Sequence, residues 1–410
     1  MTPPAADTSG LADAVRGRVE ELLGPEALHP PGETLQAAAS KLPVLAVPAD
    51  AEEAAALLRV AGEEGWRVLP RGSTVHAPQQ VEGLPSPHLH LSSGRMADIL
   101  DYEPADLTIR AGAGVTLEAL DRILAPEGQW LPLDPPGGDG VSLGGVAAEG
   151  VAGPLSAAFG RPRDQLLGLT LIDGRGRILE LGGRVVKNVA GFDLVRLSCG
   201  SRGTLGMISQ LSLRLYPRPG ADRTLLWTLG SLDDGVEVAR SLAGLPFIPA
   251  SLELLAGMDP DPGSADPVPE AVVLLRLVGS ETGVARVERG TRELAGSPDR
   301  VLNGEGSRTA AIQRSTREGT VRPLHRRHTL PARIGRVLEE LEPAGRPVAV
   351  HVLSGTIRCL GWTPAREPSG AGGGGEAGME GEAASALLSR LRRVFDPEGI
   401  LPGAWREGWA

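Results

Sequence analysis

Apolar and polar positions alternate with two different periods along the chain, and the period switches mark out its elements. "LPVLAVP" is a short apolar run, "ADAEEAAALLRVAGEEG" repeats at helical spacing behind the cap candidate Asp50, and "WRVLP" reads as a second strand. "HLHLS", "ADILDYE" and "DLTIRAGAG" follow as strands, and "TLEALDRILAPEG" as a helix capped by Thr116. "DQLLGLTLIDGRGRILELGG" predicts a hairpin around Asp173-Gly174, and "TLGMISQLSLRLYP" a strand ending at Pro217. After "YPRPGADR" the pattern becomes strand–helix–strand, through "TLLWTLG", "LDDGVEVARSLAGL", "ASLELLAG" and "AVVLLRLVG". A fainter echo runs from "RRHTLP" through "ARIGRVLEELE" to "RPVAVHVLSGTIRCLGW". These repeats predict an α/β domain over residues 1–218 and an α+β domain over 219–365. The Gly-rich segment 366–384 predicts a flexible loop, and 385–410 an amphipathic helix that stops at Asp396-Pro397.

Composition narrows the function classes. A net charge of -10 and only six Trp, two Tyr and four Phe argue against nucleic acid, which needs basic stripes and stacking platforms. No run approaches the roughly 20 apolar residues of a membrane span. The start of the chain has no signal-peptide core. The two cysteines, Cys199 and Cys359, imply neither a disulfide framework nor a thiolate metal cluster. The expectation is a cytoplasmic protein, with peripheral attachment to a membrane-bound complex left open.

Several signatures are absent: G-x-G-x-x-G opening a helix, Walker A, H-E-x-x-H and G-x-S-x-G. His88/His90 and His325/His328 have ligand-like spacing without a carboxylate pattern, so no metal is expected. Glycine-rich corners do recur after strands, at "LPRGSTVHA", "PPGGDGVSLGG" and "GSRGTLG". Such corners bring backbone close to an anion, and three of them favour a phosphate-containing cofactor. Lysine is nearly absent. Only Lys41 and Lys187 interrupt the arginines, and a compact ammonium at Lys187 suggests a ligand that a planar guanidinium would not suit. Its alternative is a surface lysine at a hairpin end. Asp193 reads as a helix cap rather than an acid, and Cys199 as core packing.

The run Lys187-x-x-x-Gly191-Phe192-Asp193-Leu194, continued by Gly200-Ser201-x-Gly203-Thr204-Leu205-Gly206, resembles FAD-linked oxidases of the vanillyl-alcohol-oxidase (PCMH) type. Within these it is most similar to 2-hydroxy-acid dehydrogenases and to the FAD-binding E subunits of bacterial glycolate oxidases. The resemblance implies an α+β fold: a two-subdomain PCMH-type FAD-binding domain followed by an α+β, ferredoxin-like cap. It implies non-covalent FAD, because the family's covalent histidine lies four residues after the loop arginine and His76 lies five after Arg71.

By the same resemblance, Pro70, Arg71, Gly72, Ser73 and Thr74 form the pyrophosphate loop. Pro136, Gly137, Gly138, Ser142, Leu143, Gly144 and Gly145 form a second flavin-contacting stretch, with Arg163-Asp164 beyond it. Gly203, Thr204, Gly206, Met207 and Ile208 lie near the flavin ring, and Lys187 faces a cofactor phosphate or the pyrimidine edge. "VFDPEGILPG" returns the C-terminus to the flavin domain. Phe192 and Arg202 depart from the family's tyrosine and glutamate. The cap also lacks the family's His-rich metal and substrate segments, leaving His351 and Arg327 as the catalytic candidates. The implied function is the FAD subunit of a glycolate oxidase complex with a homologous flavoprotein subunit and an iron–sulfur subunit, acting on a small 2-hydroxy acid. A self-sufficient D-2-hydroxy-acid dehydrogenase and a non-catalytic flavoprotein subunit are the alternatives.

Overall fold

In the computed structural model, the structure describes residues 8–29, 44–72, 86–183, 193–258, 268–308, 311, 324–343, 345–361 and 382–402. The chain starts with helix α1 (Thr8–Leu23), then alternates strand β1 (Leu45–Ala46), helix α2 (Ala51–Glu64), β2 (Val68–Arg71) and β3 (Leu89–Ser92). Asp50 opens α2 by accepting the Glu53 N–H at 2.8 Å, and Gly65 closes it at φ 67°. The apolar stripe of α2, Ala54, Leu57, Leu58 and Ala61, packs on Val68, Leu89 and Leu91. The three strands form a parallel sheet in the order β1-β3-β2.

The next unit is an antiparallel sheet of β4 (Ile99–Glu103), β5 (Thr108–Gly112), β7 (Leu166–Ile172), β8 (Ile178–Gly182) and β9 (Met207–Arg214), ordered β4-β5-β9-β7-β8. A two-residue pair, β6 (Gln129–Trp130) and β10 (Tyr216–Pro217), lies apart from it. Helices α3 (Leu117–Leu124), α4 (Leu143–Glu149) and α5 (Leu194–Ser198) are capped by Thr116, Ser142 and Asp193. Their apolar residues Leu120, Leu124, Val146 and Val195 bury the alternating inner positions Ile109, Ala111, Leu169, Leu171, Leu211 and Leu213.

From Ala221 the chain builds a different sheet. Strands β11 (Ala221–Leu229), β12 (Ser251–Ala256), β13 (Ala271–Gly279) and β14 (Arg300–Asn303), with helices α6 (Leu232–Ala243) and α7 (Glu281–Ala295), make a β-α-β-β-α-β unit. Strand β15 (Leu324–His328), helix α8 (Ile334–Leu341), β16 (Val348–His351) and β17 (Thr356–Leu360) repeat its first half. The full order is β14-β11-β13-β12-β16-β17-β15, antiparallel throughout. The first four strands have the ferredoxin-like order, and β12–β16 pairing joins the half repeat to it. The helices cover one face, over Leu225, Val273, Leu254, Val350 and Ile357.

Helix α9 (Glu382–Phe395) returns the chain to the first domain. Phe395 enters the core under the five-stranded sheet, and Ile400 and Leu401 enter the core of the parallel sheet. Ile400 O accepts from Val68 N at 2.8 Å, which extends the parallel unit. The turn is held by Asp396, whose carboxylate accepts Ile400 N at 3.0 Å and Leu401 N at 2.9 Å. Asp396→Ala is therefore expected to destabilise the chain by about 2–4 kcal/mol, because it leaves two buried N–H groups without an acceptor. Chemical denaturation should show the loss; a change under about 0.5 kcal/mol, the scale of an ordinary surface substitution, would refute it. Among the described residues, no helix is long and apolar enough to cross a membrane.

Candidate functional site

The carboxyl ends of the parallel strands are where an α/β unit offers a ligand crevice, and β2 ends there in Pro70-Arg71-Gly72. Gly72 lies against the start of α4. A Cβ at Gly72 would collide with Ser142 Oγ and come within 3.1 Å of Gly145 Cα. Ser142 Oγ in turn accepts the Gly145 N–H at 3.3 Å. Gly144 is pressed onto Ala113, where a Cβ would come within 2.7 Å of the Ala113 methyl. Just upstream, Gly137 and Gly138 turn left-handed at φ 111° and 74°, a path that suits glycine alone. Pro136 is buried beside them, as is Leu143.

The 200–206 turn completes the cradle. Gly203, at φ 77°, touches the Pro70 ring, with its would-be Cβ at 3.2 Å. Thr204 Oγ1 donates to Ser201 O at 2.7 Å, Gly206 lies against Ile172 O, and Met207 and Ile208 continue as buried positions of β9. Gly200 N and Arg202 N donate to the carbonyls of Ala147 and Ala148, both at 2.9 Å, so the turn is stitched to α4.

Pro70, Gly72, Ser142, Gly144, Gly145 and Gly203 are thus brought together. Arg163 and Asp164 are placed differently. They are exposed and lie beside Cys199, where Asp164 caps its own helical turn by accepting Arg161 N at 2.9 Å. Ser73, Thr74 and Lys187 lie outside the described residues, as does His76.

The cap contributes a second set of groups. On the face of its sheet away from the helices, register lines up Glu253, His351, Thr356 and His328 across β12, β16, β17 and β15. Arg276 pairs with Ser251 on that face, and Arg358 pairs with Arg326 and Ala349. Glu253, Arg276, His351 and Arg358 are all under 5% exposed. What covers them includes the flavin domain: Arg358 Nη2 donates to Ala152 O at 2.9 Å. Burial, and then the cations Arg326, Arg161 and Arg358, hold His328 below the usual imidazole range. Arg276 is engaged by Asp222 in a two-point ion pair at 3.0 and 2.6 Å.

The structure does not bring Arg327 to this face. It pairs with Ile357 and shares the helix-covered side with Cys359, so only His351 of the two catalytic candidates points at the flavin domain. Glu253, Arg276 and Arg358 were missed. Each is a lone charge in a run of otherwise apolar strand residues, "LELLA", "VVLLRLV" and "TIRCL". A charge buried on a strand must find partners, and that is the signal that could have found them.

Asp134 bridges the two sets. Both its oxygens accept the Leu155 N–H at 3.1 Å, and it lies near Arg276, Glu253 and Arg358. It also lines a cleft together with Leu155, Arg276 and Arg308. Burial pushes its carboxyl up to about 8, against the Leu155 N–H and Arg276, which favour ionisation. A carboxyl raised in this way stabilises the fold fully below its ordinary value of about 3.9, and that contribution is lost as pH rises through about 8. Asp134→Asn is accordingly expected to flatten the fall in unfolding midpoint between pH 5 and 9. Superimposable pH profiles for the two proteins would show that Asp134 does not titrate there.

The glycine-lined corner thus sits on a parallel α/β unit beside an antiparallel cap sheet, the arrangement expected of a flavin-binding domain. Gly72 and Gly144 let these segments approach so closely that a Cβ at either would collide with its neighbours. Residues 43–182 match the family model of an FAD binding domain. Over 151 residues the chain is 43% identical to glycolate oxidase subunit GlcE of Escherichia coli, which covers 36% of this chain and 43% of that protein. Over 211 residues it is 30% identical to glycolate oxidase subunit GlcD of Bacillus subtilis, covering 51% and 44%. A D-2-hydroxyglutarate dehydrogenase of Xanthomonas citri is 32% identical over 189 residues, covering 46% and 40%. The chain thus spans less than half the length of these curated relatives. An alkyldihydroxyacetonephosphate synthase superposes with a TM-score of 0.69 at 14% identity, over 95% of this chain and 85% of that one, and so shares the fold.

Proposed function

We propose that this chain is the FAD-binding subunit of a glycolate-oxidase-type complex, an FAD-dependent oxidoreductase for a small 2-hydroxy acid such as glycolate. The observation that carries the reading is the buried pair Arg358 and His351 on the cap face, with Arg358 held to Ala152 of the flavin domain and the half-buried Arg326 beside it. A small carboxylate needs a desolvated cation, and Arg358 supplies one in the fork geometry that suits it. Oxidation of the adjacent C–OH also needs a base for the hydroxyl proton, and His351 takes that role. FAD, when bound, is the acceptor of the two electrons. In this reading Pro70–Gly72, Gly137–Gly145 and Gly203–Ile208 hold the cofactor non-covalently. The two glycolate oxidase subunits among the relatives support membership of a multi-subunit complex, and the reading takes its other members to be a homologous flavoprotein subunit and an iron–sulfur subunit.

The test begins with the absorption spectrum of the purified chain before and after acid precipitation. Yellow colour that leaves the pellet is expected; a colourless protein that added FAD does not reconstitute would sink the reading. Anaerobic stopped-flow mixing with glycolate or D-lactate should then bleach the flavin slowly or not at all for the single chain, and rapidly for the co-expressed complex. Saturable bleaching of the single chain at about 10 per second, an ordinary enzyme rate, would instead make it a self-sufficient dehydrogenase.

A further inference from the structure

The central strand of the parallel sheet carries a histidine that the reaction does not use. His90 is 5% exposed on β3, between β1 and β2. A buried imidazole is costly without a partner. In the register, Leu69 faces His90 and Arg71 faces Ser92, so His90 and Arg71 are diagonal neighbours on one face. His90 Nδ1 lies 3.4 Å from Arg71 Nη1. Guanidinium can only donate, so Nδ1 accepts and the ring proton sits on Nε2. Burial first, and then Arg71, push the imidazole down to about 4, so the ring is neutral at physiological pH.

From this geometry we propose that His90 is a positioning residue for the FAD cradle, a neutral acceptor that aims the Arg71 guanidinium at the cofactor's pyrophosphate. The inference rests on the reading of the cradle as an FAD site. Its chemistry explains the choice of side chain. A carboxylate here would fix Arg71 equally well but would cancel the charge that the anion needs. An imidazole fixes the direction and leaves the full positive charge for the ligand. Among the described residues Arg71 has no ion pair, and burial alone lowers its pKa, as expected of a cation whose counter-charge is a ligand. The main chain is held to match: Ser93 N donates to Arg71 O at 3.1 Å, and Ser92 Oγ reaches Gly72 O at 3.5 Å. His88, the other half of the pair with metal-like spacing, has a separate structural bond, its Nδ1 accepting the Arg67 N–H at 3.2 Å.

The test is FAD titration into the full-length apo-protein, read by quenching of flavin fluorescence, with apo-protein melting measured alongside. His90→Leu removes the acceptor and is expected to weaken FAD binding roughly 10- to 100-fold, the range for a hydrogen bond to a charged group. His90→Asn keeps an acceptor near the position of Nδ1 and should recover most of that loss. In an Arg71→Met background the leucine change should add no further weakening, because the group that it positions has gone. The proposal is overturned if His90→Leu binds FAD as wild type does. It is equally overturned if the leucine and asparagine variants lose affinity alike in step with their melting temperatures, or if the two substitutions are additive. Wild-type protein that takes up no FAD would sink the cofactor reading itself, whereas intact wild-type binding with indifferent His90 variants sinks only this role.

Discussion

Gly72→Val is expected to weaken FAD retention strongly while leaving the cap sheet and both flavin-domain sheets folded. The position has no room for a side chain: its Cβ would collide with Ser142 Oγ and crowd the Gly145 backbone. A branched residue cannot be accommodated by a rotamer change, because the obstruction begins at Cβ and its further neighbour is main chain. Relief requires separating the end of β2 from the start of α4, the two segments that together form the cradle. Overpacking of this kind costs about 1–3 kcal/mol, and here the displacement falls on the binding surface itself. Loss of affinity of up to about 100-fold follows at the upper end of that range. The ratio of flavin to protein absorbance after gel filtration reads it directly, and far-UV circular dichroism checks the fold. Wild-type flavin content in the valine variant would show that the Gly72–Gly145 approach is not part of the FAD site.

Much of the fold was written in local chemistry. The caps at Asp50, Thr116 and Asp193 all accept from the N–H three residues on, as short polar side chains before a periodic apolar run should. The "DGRG" turn between "LLGLTLI" and "ILELGG" became the β7–β8 hairpin, closed by Asp173 accepting Arg175 N and Arg177 N at 3.0 and 2.9 Å. The glycine corners were legible because glycine is placed where side chains do not fit, and the resemblance supplied the ligand that the proposed function assigns to them.

The cap face was not legible, for two physical reasons. First, its residues meet through pairings distant in sequence. Glu253 and His351 face each other only because β12 pairs with β16, and no local pattern encodes that. Second, a strand's two faces are told apart by alternation, and "LHRRH" is polar at both parities. His325 and Arg327 turn to the helix side and Arg326 and His328 to the flavin side, but the sequence offers no apolar positions to say which is which. Asp134 was hidden by its neighbours: flanked by Leu133 and two prolines, it reads as a turn residue and not as a carboxyl held at a domain junction.

Arg358 is where the proposed chemistry is most exposed to test. It is 1% exposed, and its Nη2 is bonded to Ala152 O across the domain junction. Arg358→Met keeps length and apolar bulk but removes the cation and the donor. Two consequences separate cleanly. The lost donor leaves a buried carbonyl with one partner fewer, a stability cost of about 1–3 kcal/mol that a denaturation curve measures on the apo-protein. The lost cation removes the proposed anchor for the substrate carboxylate, so in the co-expressed complex flavin reduction by glycolate should fall by about 100- to 1000-fold in kcat/KM. That is the scale of roughly 3–4 kcal/mol for a charge-assisted contact in a water-excluded site. FAD content should be unchanged, because the cradle of Gly72, Ser142 and Gly145 lies in the other domain. Arg358→Lys should recover stability better than turnover, since an ammonium restores the charge without the planar fork. A methionine variant that is less stable yet reduces its flavin with wild-type kcat/KM would confine Arg358 to holding the domains together and move the substrate anchor elsewhere.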